Sequence, residues 1–186
     1  MVRRILIIGA GGIGSYLVSI LNKTNMYNIT VADPDKVERK NLTYQNFREK
    51  DLLKNKATLM EQRFKSVVKS IPFPILTASQ IIKYDLVICC ADNLDVRRLL
   101  YRTDCKWLDL RSQGRNAAFI SYQVDKALAD TVLIGPEGSF SCQGDNWDGK
   151  NKNLHYMHIA IAGMGAEWVQ RWFNDEEVES FKVVNV

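Results

Sequence analysis

The sequence predicts an α/β fold in which a doubly wound, mainly parallel sheet is extended by antiparallel strands. Strand and helix patterns alternate over roughly the first 110 residues, which is typical of a parallel sheet with crossover helices. The strand patterns are continuous apolar runs, as expected for strands that are buried on both faces. After Arg111, two neighbouring strand patterns are joined by a short connection, which favours antiparallel pairing.

The first half of the chain predicts five alternating elements. In chain order, starting with a strand, they are Arg4–Ile8, Ile13–Leu21, Asn28–Asp33, Asp51–Val68 and Phe73–Leu76. Both helices have apolar residues at helical spacing, and Asp51 is the expected N-cap of the second. Pro72 and Pro74 are expected to end that second helix, because proline cannot continue one.

The second half predicts five strands and two helices. The strands are Asp85–Ala91, Lys106–Leu110, Ala117–Val124, Thr131–Ile134 and Phe181–Val184, and the helices are Leu94–Tyr101 and His155–Phe173. We expect His155 and His158 to be polar positions on the last helix. Gly135–Asn153 is rich in polar residues and glycine, and it predicts a long loop that could cross the substrate at the edge of the sheet.

Composition excludes several classes of protein. A length of 186 residues with 46% hydrophobic residues fits a single domain over residues 1–186. The net charge of +4 is too small and too evenly spread to indicate a nucleic-acid partner. The four cysteines form no CxxC pair, so neither a zinc site nor a disulfide framework is indicated and the cytoplasm is the expected location. No apolar run is long enough to span a membrane.

A glycine-rich loop follows the first strand. Gly9–Gly14 has the G-x-G-x-x-G spacing and lies between a predicted strand and a predicted helix. Such a loop lets backbone N–H groups approach a phosphate, so it predicts a Rossmann-like nucleotide-binding domain. Asp33 ends the second strand, where a carboxylate can accept hydrogen bonds from ribose hydroxyls. Neither feature separates ATP from NAD, so an NAD(P)-dependent oxidoreductase stays open as an alternative.

A dense polar stretch follows Asp33 where a dehydrogenase would usually enter its next helix. Together with its surroundings it resembles the ThiF, MoeB and HesA family, relatives of the ubiquitin-activating enzymes. The segments that resemble the family, in order, are the glycine loop, Asp33-Pro34-Asp35-Lys36-Val37, Asn41-Leu42-Thr43-Tyr44-Gln45, Asp51 with Lys56, and Asp92-Asn93. The resemblance covers roughly residues 3–125 and implies ATP-dependent adenylation of the C-terminal carboxylate of a peptide or ubiquitin-like protein, by a homodimer.

The resemblance also implies a site for ATP and Mg²⁺. The residues assigned to the nucleotide are Gly9, Gly11, Gly12, Gly14, Asp33, Asp35, Asn41, Gln45, Lys56, Asp92 and Asn93. Lys56 and Asp92 are the expected catalytic residues, with Asp92 as the magnesium ligand. This agrees with the chemistry, because attack of a carboxylate on the α-phosphate develops negative charge that an ammonium group and a hard cation stabilise. Taken singly, Lys56 is typical of a solvated lysine and Asp92 of a helix N-cap.

One departure from the family pattern, at Tyr44, and the roles of Cys142, Arg111 and Arg115 leave alternatives open. Tyr44 stands where the family has arginine, and a tyrosine cannot replace a guanidinium electrostatically. Arg48 could substitute as a third catalytic residue, or it is a surface arginine. As an alternative to the enzyme, the chain could be a degenerate binding module that acts through a partner subunit. Cys142 is either an acceptor of the activated acyl group or a bystander thiol. Arg111 and Arg115 either bind a carboxylate or are solvated.

Overall fold

The computed structural model describes residues 2–134, 142–144, 150 and 153–186. The elements within these residues are, in chain order, β1 (Arg3–Ile8), α1 (Gly12–Leu21), β2 (Tyr27–Ala32), α2 (Lys56–Arg63), β3 (Val67–Ile71), β4 (Leu86–Cys89), α3 (Leu94–Arg102), β5 (Trp107–Gln113), β6 (Asn116–Ser121), α4 (Lys126–Val132), α5 (Met157–Phe173) and β7 (Phe181–Asn185). Short 3-10 turns lie at Arg39–Thr43, Glu49–Asp51 and Ala78–Gln80.

The seven strands of the described residues form one sheet in the order β3-β2-β1-β4-β5-β6-β7. The first five pair in parallel, and β6 and β7 continue the sheet antiparallel beyond β5. This confirms the predicted mainly parallel sheet with an antiparallel extension, including the last strand at its edge.

Helices cover both faces of the sheet, which is why the central strands are apolar throughout. Ile5 and Ile7 of β1 belong to a core cluster shared with α1 and α5. Leu6 faces the other way, into a second cluster with Val96 and Leu100 of α3. The fold is therefore doubly wound, as predicted.

The predicted helix over Asp51–Val68 is wrong at both ends. Helix α2 begins after Asn55, whose side-chain oxygen accepts a hydrogen bond from the Thr58 amide at 3.0 Å. Asp51 lies one turn earlier in a 3-10 turn, and Leu53 at φ +64° prevents the helix from starting there. The helix also ends before the Val67–Ile71 segment, which pairs with β2 as the third strand.

Two short strand predictions are also wrong. Phe73–Leu76 contains no strand, because the place beside β2 is taken by β3 and Pro74 has no amide to donate to a ladder. Thr131–Ile134 begins within α4, which Asp125 caps by accepting a bond from the Leu128 amide at 2.9 Å. Here the cap outweighs the local strand preference.

The loop predicted over Gly135–Asn153 lies mostly outside the described residues, and its crossover role stays a prediction. Where the chain is described, none of its helices is both long and apolar enough to cross a membrane. Parallel strands bring their carboxyl ends to one edge of the sheet. The glycine loop follows β1 there, Asp33 follows β2, and Asp92 follows β4. This edge is where ligands bind in open α/β sheets.

Replacing Asn55 by alanine tests the cap of α2. Besides capping the helix, the Asn55 amide nitrogen donates to the carbonyl oxygens of Asp33 at 2.9 Å and Asp35 at 3.1 Å. We expect Asn55→Ala to lower the free energy of unfolding by about 2 kcal/mol in urea denaturation. Asp125→Ala, which removes only a cap bond, should cost about 1 kcal/mol. Equal losses would contradict the additional anchoring role of Asn55.

Candidate functional site

The two outer glycines of the loop allow α1 to pack closely against the ends of β1 and β4. Gly9 has φ +94°, and a Cβ there would lie 2.8 Å from the Ala91 nitrogen. A Cβ on Gly14 would lie 1.9 Å from the Gly9 carbonyl oxygen. Gly11 is the N-cap of α1 and makes no side-chain cap bond. The positive end of the α1 dipole therefore points toward the edge of the sheet, where an anion is favoured.

Asp33 joins the glycine loop to the segment after β2. Its buried carboxylate accepts bonds from the backbone amides of Ala10 at 2.6 Å and Asp35 at 2.8 Å. Burial raises the pKa of Asp33, while Lys56 and the two amides oppose the rise. The acid is thus where the sequence predicts it, and both of its oxygens are already bound to backbone.

Lys56 is a buried cation beside these acids. Its side chain is 7% exposed, and Nζ lies 3.2 Å from Asp35 Oδ2. Its backbone amide donates to the Asp35 carbonyl at 2.9 Å, which fixes the first turn of α2 against the segment after β2. The solvated alternative for Lys56 is therefore wrong.

Gln45 lies next to the glycine loop. Its Nε2 donates to the Tyr44 hydroxyl at 3.0 Å and lies 3.8 Å from the position of a Cβ on Gly11. Its Oε1 is buried and has no hydrogen-bond partner in the described part of the chain. Asn41 is buried further back, where its Oδ1 accepts a bond from the Glu38 amide at 2.9 Å. Asn41 shapes the turn, whereas Gln45 borders the loop.

Tyr44 lies over Gly12. Its Cε2 would be 3.4 Å from a Cβ on Gly12, and its ring meets the His158 ring edge to face at 6.0 Å. Arg48 is exposed, and its backbone amide donates to Asp51 at 2.8 Å. Since none of the contacts described for Arg48 reaches the loop, the structure does not bring it to the place of the missing arginine.

Asp92 and Asn93 have different roles. Asn93 caps α3, because its Oδ1 accepts bonds from the amides of Asp95 at 2.7 Å and Val96 at 3.3 Å. Asp92 is exposed and lines a cleft of about 500 Å³ instead, so the capping alternative for Asp92 is wrong. The described residues include no group of three or more His, Cys, Asp or Glu side chains that could hold a metal ion alone.

The cleft continues from the glycine loop over β5 and β6 and contains a buried ion network. Asp109 is fully buried and accepts bonds from Arg97 Nε at 3.1 Å, the Tyr101 hydroxyl at 2.9 Å, and Arg111 Nε and Nη2 at 2.9 and 2.7 Å. Arg111 is therefore not solvated but part of this network. Arg115 is exposed, which fits its solvated alternative.

Cys142 also lies over Gly12. Its Sγ would be 3.0 Å from a Cβ on Gly12, and its carbonyl oxygen accepts a bond from the Gly114 amide at 3.0 Å. Burial, reinforced by Asp92, raises the pKa of the Cys142 thiol to about 11. A thiol that stays protonated at neutral pH is a poor nucleophile, which favours the bystander alternative.

His158 is a residue that sequence reasoning placed wrongly. It is 1% exposed, its ring packs against Tyr16 and Tyr44, and its Nδ1 lies 3.5 Å from Gln143 Nε2. His158 lies one helical turn before Ile161, which is on the apolar face of α5. This spacing is the sequence signal that could have indicated burial of His158. Burial lowers the pKa of His158.

Comparison with known proteins identifies relatives of this arrangement. The model of the ThiF family matches residues 2–108. Solved structures of similar fold include E. coli MccB with succinimide, at 19% identity and TM-score 0.72 over 99% of this chain and 61% of that one. E. coli MccB with ATP matches at 21% identity and TM-score 0.68, over 93% and 56% of the two chains. PaaA matches at 14% identity and TM-score 0.67, over 99% of this chain and 61% of that one.

The chain thus spans about three fifths of the length of these solved structures. At such low identity the likeness shows a shared fold. No curated protein sequence matches the chain.

The packing of the loop can be tested by a pair of alanine substitutions. Gly14→Ala should lower the free energy of unfolding by about 3 kcal/mol or more, because its Cβ would overlap the Gly9 carbonyl. Gly11→Ala meets only Gln45 Nε2, at an ordinary contact distance of 3.8 Å, and should cost about 1 kcal/mol. Chemical denaturation measures both, and a Gly14 variant as stable as the Gly11 variant would disprove the close contact.

Burial of His158 predicts a pH-dependent stability. Because its folded-state pKa lies below 6.5, its contribution is complete above that pH and is lost as the pH falls through the folded-state pKa. We expect His158→Asn to lose less stability than the wild type between about pH 8 and about pH 5, measured by urea denaturation. His155→Gln, which leaves the buried ring in place, should retain the wild-type pH dependence. Identical pH profiles for wild type and His158→Asn would refute the assignment.

Proposed function

This chain belongs to the ThiF family, and on that premise we propose that it adenylates the C-terminal carboxylate of a peptide or protein with ATP. We include in the proposal that residues 1–186 act as one adenylating domain and that the enzyme is a homodimer. The fold-level likeness to E. coli MccB, which is known with bound ATP and in complex with N-formylated MccA, supports a nucleotide and an MccA-like carboxylate substrate.

One observation supports the proposal above all others, namely the burial of Lys56 at the edge of the sheet that holds the glycine loop. A lysine side chain that is only 7% exposed normally either forms a complete ion pair or has a role in binding or catalysis. Its ion-pair partner Asp35 is mostly exposed, and the buried carboxylate of Asp33 also attracts the ammonium group. Beside the positive end of α1, it completes a site for a multiply charged anion such as a triphosphate.

The proposed reaction needs no nucleophile from the protein. A carboxylate oxygen of the substrate attacks the α-phosphorus of ATP and forms a carbon–oxygen–phosphorus anhydride. The bond from the α-phosphorus to the bridging oxygen breaks, and pyrophosphate leaves with the electron pair, so no proton transfer is required. Lys56 stabilises the negative charge that develops on the phosphates. Asp33 holds the glycine loop in place through the Ala10 amide, and Gln45 borders the loop beside Gly11.

Magnesium fits the site only as an ion shared with the nucleotide. Among the described residues that line the cleft, Asp92 is the one carboxylate, and Mg²⁺ is commonly held by one or two carboxylates together with phosphate oxygens. When bound, Mg²⁺ would neutralise part of the negative charge on the leaving pyrophosphate. Asp92 would then be its protein ligand, as the sequence predicts.

A second function is favoured by Tyr44 and Cys142. Both side chains lie over Gly12, where the family's arginine and a phosphate are expected. A chain with this loop could bind a nucleotide without turning it over and act through a partner subunit. ATP binding without pyrophosphate exchange, restored by a co-purifying protein, would favour this alternative over the enzyme.

Replacing Lys56 tests the adenylation proposal. ATP–pyrophosphate exchange is measured with magnesium and a panel of peptides with free C-terminal carboxylates, with the corresponding peptide amides as blanks. We expect Lys56→Gln to lower exchange at least about 100-fold, because one cation at the phosphates is lost. Lys54→Gln, an exposed lysine on the same segment, should be unchanged.

Two outcomes would contradict the proposal. One is full exchange activity in Lys56→Gln. The other is the absence of exchange with every carboxylate combined with no ATP binding by calorimetry.

A further inference from the structure

Arg97 is a buried cation whose terminal nitrogens make no hydrogen bond within the described part of the chain. It lies in the first turns of α3, and its side chain is 10% exposed. Among the described residues its one hydrogen bond runs from Nε to Asp109 Oδ1 at 3.1 Å. Nη1 and Nη2 provide four of the five N–H donors of a guanidinium. These four donors can therefore bind a ligand.

The charge around Arg97 does not balance within the network. Asp109 is one buried carboxylate, and it is shared between Arg97 and Arg111. The third donor, the Tyr101 hydroxyl, is neutral. Burial lowers the pKa of Arg97, but the charge of Asp109 raises it by more. The pKa of Arg97 is therefore raised overall, and the guanidinium stays protonated. Within this network one positive charge is left over, while the Asp92 carboxylate lines the same end of the cleft.

Arg97 lines the cleft near the glycine loop, and because its Nε is bound to Asp109, the donors it can offer there are those of Nη1 and Nη2. The residues that line the cleft with it at this end include Ile13, Cys90, Asp92 and Cys142. Over β5 and β6 the lining is mostly apolar, with Ala118, Val132, Ile134 and Val183, and it also includes the polar side chains of Arg111, Ser112, Gln113 and Asn116. The cleft therefore has a positive group at one end, beside the loop, and room for apolar side chains beyond it.

We propose that Arg97 binds the carboxylate of the substrate's chain end through Nη1 and Nη2, with Asp109 as the residue that positions the guanidinium. This inference rests on the proposed adenylation and names the group that orients its acyl substrate. A guanidinium is planar, so it can bind Asp109 through Nε and a second carboxylate through its outer pair of nitrogens. Lysine cannot do both.

The position of Arg97 favours a carboxylate over a phosphate of ATP. Lys56 and Asp33 border the glycine loop from the β2 side, whereas Arg97 borders it from the β4 and β5 side. A carboxylate held on one side of the glycine loop and a triphosphate held on the other would meet over the loop. The attack of the carboxylate on the α-phosphate requires this arrangement. The apolar lining beyond Arg97 suits the side chains of a peptide and not a triphosphate.

Kinetics of two Arg97 variants test the assignment. In ATP–pyrophosphate exchange with the peptide panel, Arg97→Lys and Arg97→Gln should raise the KM for the carboxylate about 10- to 100-fold. The Kd for ATP, measured by calorimetry, should change less than about threefold. Arg98→Gln, at a half-buried neighbour that is paired with Asp95, is the matched control and should change neither value. A raised Kd for ATP, or lost stability with an unchanged KM, overturns the proposal.

A second experiment needs no catalysis and so separates this inference from the proposed function. Phenylglyoxal modifies arginines whose terminal nitrogens are accessible, and peptide mass spectrometry follows Arg97 in the wild-type protein with the exposed Arg115 as reference. We expect acetate, but not chloride of equal ionic strength, to protect Arg97, and ATP to protect it no better than chloride. No modification of Arg97 without ligand, or protection by ATP alone, overturns the proposal.

Discussion

The candidate site depends on one contact in which there is no room for a side chain, between Gly14 in the first turn of α1 and the carbonyl of Gly9. This contact sets the distance between α1 and the end of β1, because a single added carbon would overlap the carbonyl oxygen. The same loop turns at Gly9 against the backbone of Ala91, after β4. The carboxyl ends of β1 and β4 are thereby held together, and Asp92 is brought beside the loop.

Asp33 extends this rigid arrangement to β2 and α2. By accepting the amides of Ala10 and Asp35, it ties the loop to the segment that packs on Lys56. Asn55 completes the connection, because it caps α2 and also binds the carbonyls of Asp33 and Asp35. The buried ammonium group is thus positioned by backbone contacts and not by a long flexible side chain alone, which is the kind of preorganisation that electrostatic catalysis requires.

The sequence predicts the order of most strands and helices and the edge at which the polar residues gather, because apolar periodicity and glycine spacing are local signals. It does not predict which of two nearby cap residues begins α2, since Asp51 accepts bonds instead from the Arg48 amide in its own turn and from the Arg63 side chain at the end of α2. Arg97 is missed for the same reason. Next to Arg98 it is typical of a surface cation, and only the folded chain brings Asp109 against it.

The thiol of Cys142 would compete with the proposed nucleotide for the N-terminus of α1. It lies over Gly12 at the start of α1, and the Ile13 amide there opposes the rise in the pKa of the thiol. A helix N-terminus is where a phosphate would bind. A ligand that reaches this amide must first displace the sulfur. Its apparent affinity then equals the intrinsic affinity multiplied by the fraction of molecules in which the thiol has withdrawn. Occupancy by nucleotide and withdrawal of Cys142 are consequently linked equilibria, and each promotes the other.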